Sequence, residues 1–118
     1  MKGILVVAHG SRVKETENTL ASILSMVREM LPDICMEFAF MEFSEHTLEK
    51  AVRSLVERHV TEIKVVPYFL FMGIHLREDI PKMIQECTTD YPNLKVSVSE
   101  PLGADRRLAE ILVERIKG

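Results

Sequence analysis

Four repeats of a short apolar run followed by a longer helical pattern predict an α/β domain built on a parallel sheet. Two observations carry this expectation. Residues 3–8 (GILVVA) are continuously apolar and rich in β-branched side chains, and residues 63–70 (IKVVPYFL) are nearly so, as strands covered on both faces are. Between the runs, apolar residues recur at helical spacing, so each strand returns to the sheet through a helix and the crossovers are right-handed. The expected architecture is one three-layer domain over residues 1–118: a four-stranded parallel sheet flanked by helices, as in half of a doubly wound fold.

The first strand, residues 3–8, should be central. His9, Gly10, Ser11 and Arg12 break it; Gly10 permits a tight backbone, Ser11 suits a helix cap, and the turn exposes His9 at the sheet edge. Leu20, Ile23, Leu24, Val27 and Leu31 mark one face of a helix over residues 13–31, ended by Pro32. A second strand, residues 35–41, ends at Glu42. Ser44 and Thr47 open a second helix that carries Leu48, Ala51, Val52, Leu55 and Val56 and finishes near His59. The third strand spans residues 62–70, with Pro67 expected near its carboxyl end because proline removes a ladder donor. Gly73 and His75 follow, then a helix over residues 76–89 with Glu78 and Asp79 in an acidic first turn and Pro81 close to its start. Residues 94–99 read as a fourth strand and residues 104–117 as a fourth helix, with Leu108, Ile111, Leu112 and Ile116 along one face.

Composition narrows the partners. Hydrophobic side chains make up 47% of the 118 residues, enough for one ordinary core. A formal net charge of −3 argues against nucleic acid and against an anionic membrane surface. The apolar runs are strand-sized and the first residues lack a signal-peptide pattern, so no membrane association and a cytoplasmic location are expected. Cys35 and Cys87 form no CxxC pair and read as structural thiols in a reducing compartment. Seven methionines read as core filler rather than a soft-metal box. His46 and His59, at the two ends of the second helix, read as capping or exposed residues.

With the order two, one, three, four, the turns after the first three strands share one rim and bring His9, Glu42 and His75 to it. Open α/β sheets bind ligands there. Two imidazoles and a carboxylate suit a first-row divalent ion, and three protein ligands leave coordination positions open. Taken singly, each residue has a plainer reading, a capping histidine or a carboxylate favouring a helix dipole. A hydrolase is disfavoured because HGS is not joined by a GxSxG elbow. Neither GxGxxG nor GxxxxGK[ST] occurs, so no nucleotide is expected.

LVVAHGSR near the amino end, with VVPYFLFMGIHLREDIP about sixty residues later, resembles the short-form sirohydrochlorin cobaltochelatases of the CbiX type, among the class II tetrapyrrole chelatases. The likeness spans nearly the whole chain. It implies a half-size α/β unit that forms a homodimer resembling the two-domain chelatases and inserts a divalent metal into sirohydrochlorin without ATP. It places the metal-binding histidines on His9 and His75, and a carboxylate after the second strand on Glu42. Two departures lie outside this set: His46 stands where members often carry proline, and His59 where a glycine often ends the second helix. The chain ends in RIKG, without the histidine-rich segment of some short forms, so metal storage by that route is not expected.

Inserting a divalent ion into a tetrapyrrole displaces two pyrrole protons, so the site needs a metal donor and a proton acceptor. Histidine serves as both. On this reading His9 and His75 hold the metal, Glu42 assists as ligand or base, and one imidazole also takes protons. Tyr68, Phe71, Met72 and Gly73 would wall the macrocycle, while Arg12 and Arg77 would pair with its carboxylates. Phe69 and Phe71 suit core and wall equally. The metal is Co2+, with Ni2+ or Fe2+ as alternatives, because affinity order alone does not select cobalt. A carrier of metal or tetrapyrrole without turnover is the rival from another class.

Overall fold

The computed structural model describes all of residues 1–118. Its elements alternate strictly: β1 (Lys2–Ala8), α1 (Glu15–Met30), β2 (Met36–Phe40), α2 (Leu48–Glu57), β3 (Glu62–Pro67), α3 (Ile74–Cys87), β4 (Lys95–Val98) and α4 (Arg106–Lys117). All strand pairs are parallel, as the sequence predicts, and the order is β2-β1-β3-β4, the one under which the turns after the first three strands share a rim.

Alternation along the strands divides the core into two layers. Leu5, Val7, Ile63 and Val65 face one side, where Leu48, Val52 and Leu55 of α2 and Ile80 and Ile84 of α3 cover them. Val6, Ala8, Met36 and Phe40 face the other, where Leu20 and Leu24 of α1 close the layer. Because β1 lies between two paired strands and under helices on both sides, its run is continuously apolar. β4 is an edge strand with every residue exposed, and Lys95 on it opposes further pairing.

Several boundaries differ from the sequence expectation for identifiable reasons. β3 stops at Pro67, not at residue 70, because the backbone beyond it turns to other partners: Leu102 and Gly103 donate to the carbonyls of Phe69 and Leu70 at 2.8 Å. Ser11 does not cap α1; its hydroxyl accepts from the Val13 amide at 3.1 Å, upstream of the helix. Thr47 alone caps α2, accepting from the Lys50 amide at 3.2 Å, while Ser44 accepts from the His46 amide at 2.9 Å within the preceding turn. α3 starts at Ile74, which puts His75 in its first turn and moves Glu78 and Asp79 out of it. Pro81 consequently sits inside the helix, on its exposed side, and removes one helical bond that the Arg77 carbonyl would accept.

The largest difference is α4. Its apolar stripe exists, but no residue of the helix is buried and none joins either core layer. Leu112 is 61% exposed and Ile116 75%. The radius of gyration is 15.0 Å, against about 13.5 Å for a compact chain of this length.

Candidate functional site

β2, β1 and β3 end side by side at Phe40, Ala8 and Pro67, so the three following loops form one rim. The first two loops are tied together. Met41 and Glu42 amides donate to the carbonyls of Ala8 and His9 at 2.9 and 3.1 Å, continuing the β1–β2 ladder past the strands. Gly10, at φ 101°, allows the closest approach: a Cβ there would lie 2.1 Å from the Glu42 carbonyl oxygen. Only glycine fits both the space and the backbone angle.

This register sets the side chains. His9 Nε2 lies 3.1 Å from Glu42 Oε1, hydrogen-bonding distance, with side chains 59% and 45% exposed and so open to a ligand. Arg12 places its guanidinium carbon 4.7 Å from the centre of the Phe43 ring. Phe43 was not among the residues the sequence pointed to. It adopts φ 59° and is half-exposed, and nothing in the local FSE sequence signals a left-handed residue.

The third loop is organised differently. His75 is exposed in the first turn of α3, behind Gly73, which serves as N-cap. Gly73 has an ordinary φ of −76°, and a Cβ on it would meet nothing within 4 Å, so here the glycine leaves space at the rim and relieves no strain. His9 and Glu42 are brought together, whereas His75 stands on the same rim without closing a three-ligand cluster with them. The residues expected to wall a macrocycle also divide. Tyr68 turns toward α1 and lines a hollow with Leu20 and Phe40. Met72 and Arg77 line a groove of about 310 Å³ between α3 and the end of β4. Phe71, 79% exposed, faces α4 across an apolar hollow of about 960 Å³ with Leu70, Leu108, Ile111 and Leu112. Phe69 packs on the core.

The remaining candidates are structural. His46 stacks on Phe38, ring centres 4.7 Å apart, and His59 ends α2 in the left-handed conformation at φ 66°. Cys35 and Cys87 are free and half-buried; burial first, and then Glu49 and Glu86, push the Cys87 thiol up, which makes it a poor nucleophile. No helix is long and apolar enough to cross a membrane.

Comparison with known proteins identifies the family and the fold. The CbiX family model matches residues 3–118. The chain is 34% identical over 117 residues to the sirohydrochlorin cobaltochelatase of Sulfurisphaera tokodaii, covering 99% of this chain and 92% of that protein. It is 36% identical over 116 residues to the sirohydrochlorin ferrochelatase of Priestia megaterium, covering 98% of this chain but only 44% of that longer protein. The sirohydrochlorin chelatase SirB from Bacillus subtilis subspecies spizizenii, solved in complex with cobalt, superposes with a TM-score of 0.89 at 32% identity, covering 98% of this chain and 50% of that one. With a match from residue 3 to the last residue, on a sheet whose neighbouring strand ends carry the His9–Glu42 pair, the chain belongs to the CbiX family.

Proposed function

We propose that this protein inserts Co2+ into sirohydrochlorin, exchanging the ion for two pyrrole protons without ATP. The observation that carries the reading is the solvent-open His9–Glu42 pair, 3.1 Å apart, with His75 on the next turn of the same rim. A divalent ion displacing the proton between the pair, at bond lengths of about 2.1 Å, would see the two donor atoms at roughly 95°. That is a cis pair, which leaves positions free for His75 and for pyrrole nitrogen. His75 closes on the ion from α3 as the macrocycle arrives. Once the ring nitrogens hold the metal, His9 and Glu42 are free to accept the two released protons, so the same groups donate metal and remove acid.

The proposed assembly is a homodimer. A flat macrocycle on so small a rim stays exposed unless something closes over it, and ligand sites bury most of their ligand. The uncovered stripe of α4 and the apolar hollow beside Phe71 give a second copy a surface to occupy. The proposed location is the cytoplasm, where reduced Cys35 and Cys87 are at home.

The iron reading stands beside cobalt because a relative of equal similarity is named a ferrochelatase. Anaerobic incubation of sirohydrochlorin with Co2+, Fe2+ or Ni2+ at substoichiometric protein, followed by absorbance, separates them. Insertion above the uncatalysed rate, fastest with cobalt, is expected. Faster insertion of iron reassigns the metal, and a stoichiometric change without turnover identifies a carrier.

A further inference from the structure

We infer that Phe43, stacked under Arg12, is the platform that positions the macrocycle over the His9–Glu42 pair; this rests on the chelatase reading above. Two non-glycine residues have left-handed backbones, and their settings differ. His59 lies just past the end of α2, where a helix terminus calls for that conformation. Phe43 ends no helix. It reverses the chain immediately after Glu42, whose amide is held by the His9 carbonyl at 3.1 Å and whose own carbonyl packs against Gly10. Asparagine or glycine would make the same reversal with less strain.

The ring also gains little from the fold. It is 50% exposed and belongs to neither core layer. Its one specific contact is the Arg12 guanidinium, 4.7 Å from the ring centre. Strain in a residue that joins no core layer marks a position whose use lies outside folding. Phe43, Arg12, Lys14 and Ser44 border an open hollow of about 540 Å³, with Glu17 and Glu45 also on its wall. Arg12 lies over one face of the ring; the exposed remainder, with that guanidinium and the Lys14 ammonium on the same hollow, suits a flat conjugated ring whose rim carries carboxylates. Phe43 directly follows Glu42 in the chain, and the proposed ring resting on it has its metal-accepting centre close to the pair. Arg12, expected from sequence to pair with substrate carboxylates, is held over the ring and so stands next to the carboxylates of a macrocycle bound there.

Phe43→Gly is the decisive variant, because glycine suits the backbone and removes only the ring. Its unfolding in urea is compared with wild type, together with the Kd for metal-free sirohydrochlorin by fluorescence and the steady-state constants for cobalt insertion. Expected are unchanged or higher stability, a roughly tenfold rise in Kd and in KM for sirohydrochlorin, unchanged kcat and unchanged KM for cobalt, and recovery in Phe43→Tyr. Wild-type Kd and KM in Phe43→Gly would overturn the platform. Wild-type protein that binds sirohydrochlorin but inserts no metal overturns catalysis alone, with the Kd comparison still deciding Phe43; absence of sirohydrochlorin binding overturns both.

Discussion

Between β1 and β2 the rim is tied at every level: backbone bonds run past both strand ends, Gly10 seats the Glu42 carbonyl, and side chains pair His9 with Glu42 and Arg12 with Phe43. Beyond β3 little of this exists. Phe71, Ile74 and His75 are exposed, a Cβ on Gly73 would meet nothing, and past the Tyr68 amide, which donates to the Val7 carbonyl, the loop's backbone partners come from the entry to α4. On the proposed reading one side holds two of the three metal donors before any ligand arrives, while the other carries His75 on an exposed turn with few ties. A metal-inserting enzyme needs this division, since a fully preformed cage would hold the ion too well to release it to the ring.

The two glycines test the contrast most severely. Gly10→Ala forces a left-handed Cβ into the Glu42 carbonyl and should destabilise the fold by about 3 kcal/mol, with cobalt insertion lost, whereas Gly73→Ala should cost under about 1 kcal/mol. Urea midpoints measure both. Similar values for the two would mean that the loops are not tied as described.

Replacing the histidines sharpens the functional side. His9→Ala and His75→Ala should each slow cobalt insertion about 100-fold while changing stability by less than about 0.5 kcal/mol, since both side chains are exposed. An unaffected His75→Ala enzyme would confine metal handling to the tied half of the rim.

The open half has its own test in α4. Leu112→Asp should convert a dimer to a monomer in light scattering, with monomer stability changed by less than about 0.5 kcal/mol, because Leu112 packs on no core residue of its own chain. Equal masses for wild type and variant would assign the stripe to something other than self-association.

Smaller effects follow from local backbone and charge. His59→Gly relaxes φ 66° at the end of α2 and should raise stability by about 1 kcal/mol without altering insertion. At the start of α4, hydrogen bonds from the Arg107 side chain and amide hold the Asp105 carboxyl well below the usual carboxylate range. Its folded-state pKa is depressed, so its cap is at full strength above about pH 4 and is lost as acid protonates the folded form. Far-UV circular dichroism should therefore show partial loss of α4 helicity below that pH, and Asp105→Asn should remove this loss.

Legibility was uneven for physical reasons. The strand–helix alternation and the parallel sheet follow from periodicity and crossover rules, which are local properties of the chain. The ends of β3 and the start of α3 do not, because backbone groups at residues 68–70 had two sets of partners available and the loop after β4 supplied the one that won. The candidate wall was overread for the same reason. Tyr68, Phe71 and Met72 are near neighbours in sequence, but the chain past Pro67 twists them into three different hollows.

By itself the sequence determined the fold class and placed His9, Glu42 and His75 just after three of the strands, since apolar spacing fixes where each strand and helix lies. Only the tertiary structure decided that Glu42 meets His9 while His75 waits, that Phe43 is turned outward under Arg12, and that α4 leaves its apolar stripe uncovered. Each of these depends on which surfaces remain free after the sheet and its first three helices have packed. Hydrophobic periodicity records that a face is apolar; it does not record what that face will meet.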